Sequence, residues 1–573
     1  MGPGEITGPA LPAQAVAARL EAQQRAATEL PEARRRILFG DLHVHTTFSA
    51  DAFMRSLPPV GGEGLFPPAD ACDYARYCSQ LDFFALTDHA EAVTPQHWQE
   101  SKESIRQCNA VAGDPSDPDL VAYVGFEWTQ VGMTPATHYG HKNVIFRDLA
   151  DDQLPTRPIA APVLGDAFRR TPVAEPWLLP LFPVLDFEHR DHYMDVVRFA
   201  RELRGVPDCA EGVDTRELPA SCREVARDPQ TLFEKLDQWG FDSVVIPHGT
   251  TWGFYTPPGY RWDKQIDPAE DDPARQNLVE VYSGHGSAEQ LRPWRADEEG
   301  ADGQLVCPDP VPGYEPCCHR AGEIVRARCG SVSSEECEQR VSAAQQDYLA
   351  MGIAGHLSTP GATAEDWGDC GQCKDCVLPA FNYRPGGSVQ YMLARGHFEP
   401  GQPPVHQRLG FIGSSDNHTA RPGTGYKEYA RRAITEATGP VSPAWHERIF
   451  GTPPPRSDTS IRLSVDELMA RPPFTVVDLE RVASFFTTGG LVAVQSDGRD
   501  RDSIWSAIRA RRVYGTSGDR ILLWFDMLNA PEGVAAMGSE VHAGQSPRFR
   551  VRAVGAALGA GLGAFWLVGR LFV

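Results

Sequence analysis

The sequence predicts an α/β chain built as a β/α barrel with long insertions, on three observations. Short Val/Ile/Phe-rich runs recur over the first 420 residues, as strands buried on both faces require. Each run ends in a residue able to ligate a metal. Stretches with helix start and stop signals separate several of them, and chemistry at the C-terminal end of successive strands is how such a barrel builds a site.

The first run is "ILFGDLHVH", residues 37–45. Read as a strand, it puts His43 and His45 on one face. Two adjacent imidazoles repel when protonated and waste apolar surface when neutral; a metal ion removes both objections. Asp51 follows shortly after. "LDFFALTDH" ends at Asp88 and His89, "LVAYVGFEW" carries Glu127, and "HYGHKNVIF" carries His138 and His141. "FDSVVIPHG" ends at His248, "NLVEVYSGH" at Glu280 and His285, and "LGFIGSSDNH" at Asp416 and His418. Between them, Thr94 and Pro95 open a helix that stops at Gly113, and Asp228 opens another that stops at Gly240. "PADACDYARYCSQL" reads as a third. The intervals 147–240 and 290–405 exceed one helix and are read as insertions folded over the barrel mouth.

The remainder divides by composition. Residues 1–36 form a leader, helical or disordered; 37–430 form the metal-binding barrel, with a Cys-rich insertion at 300–380. A Pro/Ser/Gly-rich linker occupies 431–460, and a small α+β or β module 461–552, with a helix capped by Asp502 and a strand at 521–526. In the apolar, Gly-rich tail 553–573 the uncharged stretch 553–569, which ends before Arg570, falls short of the roughly 20 residues that span a bilayer, so membrane contact is not expected. With 54 basic against 76 acidic residues the net charge is -22, a poor footprint for nucleic acid. The expected partner is a small anionic or ester substrate; oligomeric state is open.

Collected from the strand ends, His43, His45, Asp51, His89, Glu127, His141, His248, Asp416 and His418 make a donor set for more than one metal. Imidazole suits Zn, Mn or Fe, and a carboxylate can bridge two ions, with Glu127 the natural bridge.

These motifs, "HVHTTFSAD", "LTDH", "GFE", "IPHG" and "SDNH", resemble those of the PHP (polymerase and histidinol phosphatase) superfamily. The resemblance implies a distorted seven-stranded, TIM-like β/α barrel with two or three divalent ions. It implies one ion among His43, His45, Glu127 and Asp416, a second among Glu127, His141 and His248, and a third among Asp51, His89 and His418. His141 is preferred to His138 because it directly enters the apolar "NVIF". "GTTWGFYTPPG", "NLVEVYSGHGSAE", "NYRPGGS" and "SIWSAIRARRVYGTSGDRI" further resemble a large PHP subfamily catalogued as a domain of unknown function.

A multinuclear site lowers the pKa of bound water and neutralises substrate oxygens. The expected activity is therefore metal-dependent hydrolysis, a metal-bound hydroxide attacking a small-molecule ester, most readily a phosphoester. Glu127 would hold two ions around the nucleophile, and His285 would be the general acid. Arg384, Arg421 and Lys427 are substrate-binding candidates, since Arg grips phosphate bidentately. Trp252, Phe254 and Tyr255 either wall the pocket or pack against the barrel. Amidohydrolase-like cleavage of an amide, carbamate or carboxyl ester, and metal binding without turnover, stand as alternatives.

Eight of the 13 cysteines fall between 307 and 376. "CGQCKDC" (Cys370, Cys373, Cys376) has spacing suited to a second metal site, but a long, loop-like insertion favours disulfides. Disulfides and the family resemblance point to a periplasmic or secreted protein; the lack of an apolar secretion signal in the leader points to the cytoplasm.

Overall fold

The computed structural model describes residues 2–27, 35–170, 182–250, 256–284, 286–288, 292–371, 383–397, 401, 405–424, 440–471, 475–476 and 489–555. The strands that frame the site are β1 (Arg36–Asp41), β2 (Phe83–Leu86), β3 (Val121–Val131), β4 (His138–Phe146), β5 (Ser243–His248), β6 (Leu278–Ser283), β7 (Gly410–Gly413), β8 (Leu491–Ser496) and β9 (Val513–Thr516). Seven of them make one curled sheet, a half-barrel in the order β9-β8-β1-β2-β3-β4-β5. β6 and β7 pair in parallel in a second, three-stranded sheet with Gly286–Ser287.

The parallel barrel expected from the sequence is met only in part. β1, β2 and β3 run parallel, but β4 is antiparallel to both β3 and β5, and β8 is antiparallel to β1 and β9. The link 132–137 is far shorter than the dozen or so residues a parallel crossover needs, so β3 and β4 must form a hairpin. A second difference is where the chain closes the sheet. β8 and β9 lie in the stretch read as a separate C-terminal module, yet they extend the main sheet beyond β1. The remainder of that stretch, β10 (Leu522–Ala530), β11 (Gly533–Ala536) and β12 (Phe549–Val554), forms its own antiparallel sheet.

Strand alternation sorts the core into two layers. Leu38, Phe83, Ala85, Val121, Tyr123, Ile145, Val244, Ile246, Val492 and Val494 pack inside the curl, joined by Leu278 of β6 and Ile412 of β7. The second sheet therefore lies across the open side of the first. Its approach is close: a Cβ on Gly515 of β9 would sit 2.6 Å from the backbone nitrogen of Gly413 in β7, so a side chain there would force the sheets apart. The intervening residues, among them Phe84, Leu86, Ala122, Val124, Phe126 and Val245, face outward onto the helices Pro68–Asp73, Pro95–Ala110 and Pro229–Trp239. The two N-caps and the stop at Gly240 are kept as expected, whereas Pro95–Ala110 ends with Val111 as its C-cap, two residues before the expected Gly113. Thr94 accepts from the His97 N–H at 3.2 Å, Asp228 accepts from Thr231 at 2.8 Å, and Gly240 closes its helix at φ +69°. The helix Arg501–Arg509 plugs the lower end of the curl with Ile504, Trp505 and Ile508; its N-cap is Asp500, two residues before the Asp502 expected.

The remaining expectations divide. A helix spans Ala13–Ala27 within the leader, and the linker contains a helix, Pro443–Phe450, capped by Ser442. The insertion at 147–240 sends Val196, Phe199 and Leu203 of the helix Arg190–Gly205 against Ala50, Phe53, Leu57 and Ala92, flanking the segments that carry Asp51 and His89. In the Cys-rich insertion Cys307 pairs with Cys318, Cys317 with Cys370, and Cys329 with Cys337. Cys370 is thereby withdrawn from any metal site with Cys373 and Cys376, which lie outside the described residues. Cys72–Cys108 and Cys209–Cys222 are further disulfides. Among the described residues no helix is long and apolar enough to cross a membrane.

Candidate metal centre

The donor set converges at the upper end of the curl. β1 stops at Asp41, earlier than the run 37–45 suggested, and Val44 makes an isolated bridge to Asn417. Because Val44 turns outward into the helix-facing core, His43 and His45 still point inward together. Glu127 shares the inward face of β3 with Tyr123, and His141 that of β4 with Ile145. His248 ends β5 directly opposite His141 in register. Asp416 and His418 follow β7 on a loop bound to the end of β1, where Asp416 N–H donates to His43 O at 3.0 Å and Ala420 N–H to His45 O at 3.0 Å. Asp416 itself holds φ +53°, a conformation that costs a non-glycine residue of order 1 kcal/mol and is kept by those bonds.

The geometry has the scale of a coordination sphere. His43 Nε2 and His45 Nε2 are 3.0 Å apart. Glu127 Oε2 lies 3.4 and 3.2 Å from them, and Asp416 Oδ1 3.2 and 3.4 Å. Donors sharing one ion at about 2.1 Å each are separated by roughly 3.0–3.4 Å. The other Glu127 oxygen, Oε1, lies 2.6 Å from His141 Nδ1 and 3.2 Å from His248 Nε2. A third group joins Asp51 Oδ2 to His418 Nε2 at 2.9 Å and His89 Nε2 at 3.5 Å. His45 belongs to it as well, since single donors of His45, His89 and His418 all fall within 4.8 Å of one another. All nine residues predicted from the strand ends are thus brought into one buried cup. Its buried His/Glu clusters suit divalent cations.

The rings are also oriented. His248 Nδ1–H donates to Ile246 O at 3.3 Å and His418 Nδ1–H to Asp416 O at 3.1 Å. His45 Nδ1–H donates at 2.9 Å to Ser49 Oγ, whose own hydrogen goes to Asp88 Oδ1 at 2.9 Å. His89 Nδ1–H donates to Thr129 Oγ1, which passes its hydrogen to Glu127 Oε1. His43 Nδ1–H donates to Glu280 Oε2 at 2.9 Å. In the neutral form of each ring this leaves the inward nitrogen to present its lone pair to the cup. Glu280 and Asp88 stood at strand ends in the sequence without being grouped with the ligands; Ser49 and Thr129 carried no signal of their own.

Asp41 holds the loop from beneath, accepting from Ser415 N–H at 3.0 Å, Gly423 N–H at 2.7 Å and His43 N–H at 3.2 Å. An Asn here would turn an NH2 toward at least one of those donors. Asp41→Asn is expected to cost about 2 kcal/mol, read as a lowered urea midpoint at unchanged m.

The charges compensate without an ion. Burial pushes His43 and His89 down, but Asp416 and Glu280 beside the first, and Glu127 and Asp51 beside the second, outweigh it. His43 ends well above its ordinary value and His89 at about 9. Both shifts favour the protonated ring, so proton and cation compete for the inward nitrogens. Stability from His89 is present below its unfolded value of about 6.5 and is lost as pH rises through about 9. Cation affinity should accordingly strengthen up to about pH 9. Calorimetry at pH 7 in buffers of different ionisation enthalpy should register protons released on loading.

The other candidates fare differently. His138 lies outside the cup, with Nδ1 3.2 Å from Gly132 O and its ring edge-on to Tyr260; burial and neighbouring His141 hold it down at about 3. Arg384 is buried, its Nε donating to the carbonyls of Thr256 and Pro257 at 3.1 and 3.2 Å. The Arg421 guanidinium pairs with Glu63 at 2.8 Å and lies over the Phe66 ring, so Arg421→Ala should change kcat/KM by no more than about twofold. His285, Lys427, Trp252, Phe254 and Tyr255 lie outside the described residues.

A family described as "Protein of unknown function (DUF3604)" matches residues 32–112 and 402–563. The resemblance to a subfamily catalogued as a domain of unknown function is borne out by this match. The matched segments carry His43, His45, Asp51, His89, Asp416 and His418; Glu127, His141, His248 and Glu280 lie between them. A crystal structure of a two-domain protein containing a predicted PHP-like metal-dependent phosphoesterase, from Bacteroides vulgatus, is similar at 12% identity and TM-score 0.25, over 91% of this chain and 88% of its own. No curated protein matches.

Proposed function

We propose that this chain is a metal-dependent hydrolase of the PHP type that cleaves an ester of a small molecule, most readily a phosphoester. The observation that carries the reading is the division of one buried carboxylate. Glu127 offers Oε2 to His43 and His45 and Oε1 to His141 and His248, as a bridge between two ions requires. Divalent ions in the cup, Zn, Mn or Fe, would supply Lewis-acid chemistry and lower the pKa of bound water. The residues do the rest. Asp416 and Glu127 neutralise cation charge, and the Nδ1 partners hold each ring in its ligating tautomer. Asp51, with its side chain 19% exposed, is where the cup meets solvent.

An amidohydrolase-type site would add a bridging modified lysine. The nearest lysine in sequence, Lys142, turns away from the cup, its amine bound to Gln276 Oε1 at 2.6 Å and to Gln265. That favours the PHP reading. The test is turnover of a generic phosphodiester, phosphomonoester and carboxyl ester by protein loaded with Mn, Zn or Fe. Phosphoester hydrolysis that disappears in His43→Ala supports the proposal. Unchanged hydrolysis in that variant, or no turnover across the panel by fully loaded protein, overturns it.

A further inference from the structure

We propose that Glu280 is a positioning residue: its carboxylate, delivered from β6 in the second sheet, holds the Nδ1–H of His43 and fixes which nitrogen of that ring faces the cup. The inference rests on reading the cup as a metal centre.

Glu280 is buried, and its Oε2 lies 2.9 Å from His43 Nδ1. A carboxylate oxygen only accepts, so the Nδ1 carries a hydrogen, and in the neutral ring Nε2 carries the lone pair. That Nε2 is the atom surrounded by His45, Glu127 and Asp416 at 3.0 to 3.4 Å. Six rings of the cup have a described Nδ1 contact: His45, His89, His248 and His418 meet hydroxyls or carbonyls, His141 meets Glu127, itself one of the cup's central carboxylates, and His43 meets Glu280 from behind. A carboxylate raises the basicity of the imidazole it holds, so the first ion position should be the tightest.

Glu280 could instead be a ligand, since it forms a group with His43 and His248 within 4.8 Å. The bonding opposes this. An ion on His43 Nδ1 would leave a hydrogen on Nε2, aimed into the first cluster. His248 has no nitrogen left for it either, because Nδ1 is given to Ile246 O and Nε2 lies 3.2 Å from Glu127 Oε1. The topology supports positioning as well. β6 pairs in parallel with β7, and Ser414 N–H donates to Tyr282 O at 2.9 Å, so one strand pair sets Glu280 behind His43 and Asp416 in front of it.

The test uses the full chain, stripped with chelator and titrated with Zn²⁺ against a chromophoric competitor, and separately reconstituted with Co²⁺ for its visible spectrum. Glu280→Gln keeps an oxygen that accepts the Nδ1–H. It should bind the wild-type number of ions, with the tightest one weakened about 10-fold and its Co²⁺ bands shifted. Glu280→Leu should weaken that ion by about 100-fold and leave the others unchanged. Three results overturn the proposal. Wild-type affinity and spectrum in both variants would make Glu280 structural at most. Complete loss of one ion in Glu280→Gln would make it a ligand. Uniform weakening of every ion in Glu280→Gln would mark a general packing defect. If Glu280→Leu does not fold, the Gln variant decides alone. Wild-type protein that takes up no Zn²⁺ or Co²⁺ would instead remove the metal-centre reading itself, an outcome distinct from all of these.

Discussion

Glu127→Gln should empty two ion positions together and lower hydrolysis by about 10³-fold or more. An amide has one oxygen and one NH2, so whichever way it turns, one imidazole pair loses its anionic neighbour. If the oxygen stays with His43 and His45, then His141 and His248 face an N–H. The carboxyl it replaces is strongly held. Burial alone would raise it, but His89 and His248, with hydrogen bonds from His141 and His248, keep it well below the usual carboxylate range. The substitution is nearly isosteric, so circular dichroism should be unchanged. Each bound ion stabilises by about 4 kcal/mol at a thousand times its Kd. Adding Mn or Zn should therefore raise the Tm of the wild type much more than that of the variant, and elemental analysis should count fewer ions per chain.

Reduction of the disulfides should have the next largest effect, and it should begin in the insertion. Cys317–Cys370 closes a sequence separation of 53 residues and Cys72–Cys108 one of 36. Chain entropy assigns about 4 kcal/mol to each. The insertion's apolar cluster is small, and Cys317, Cys318 and Cys370 are themselves part of it beside Ile324, Leu349 and Trp367. A core of that size does not carry a fold alone. Under dithiothreitol the insertion should become protease-sensitive first, and Tm should fall by on the order of 10 °C or more. Such bridges persist in oxidising compartments. Production in a reducing cytoplasm should accordingly give poorly folded protein, and export to an oxidising one should restore it.

The site was more legible in the sequence than the sheet that holds it. Each ligand type stood at the end of an apolar run, and a strand end is a place that sequence marks clearly. The hairpin of β3 and β4 carried its own signal in the brevity of 132–137, against a general expectation of parallel strands. The pairing of β1 with β8 carried none. Arg36 meets Ser496 across some 460 residues, and the apolar alternation of either strand fits many partners. Glu280 shows a third kind of opacity. Its strand-end position was visible, but whether a carboxylate touches an ion or the back of a ligating ring depends on which nitrogen of His43 it meets. Only coordinates hold that distinction.

Anomalous diffraction from crystals soaked with Mn²⁺ or Zn²⁺ should show two or three peaks inside the cup. One should sit within about 2.2 Å of His43 Nε2 and His45 Nε2, and a second should share Glu127 with it through His141 and His248. A cup without anomalous density in fully soaked crystals, or ions bound only elsewhere on the chain, would contradict the reading of the cup as a metal centre.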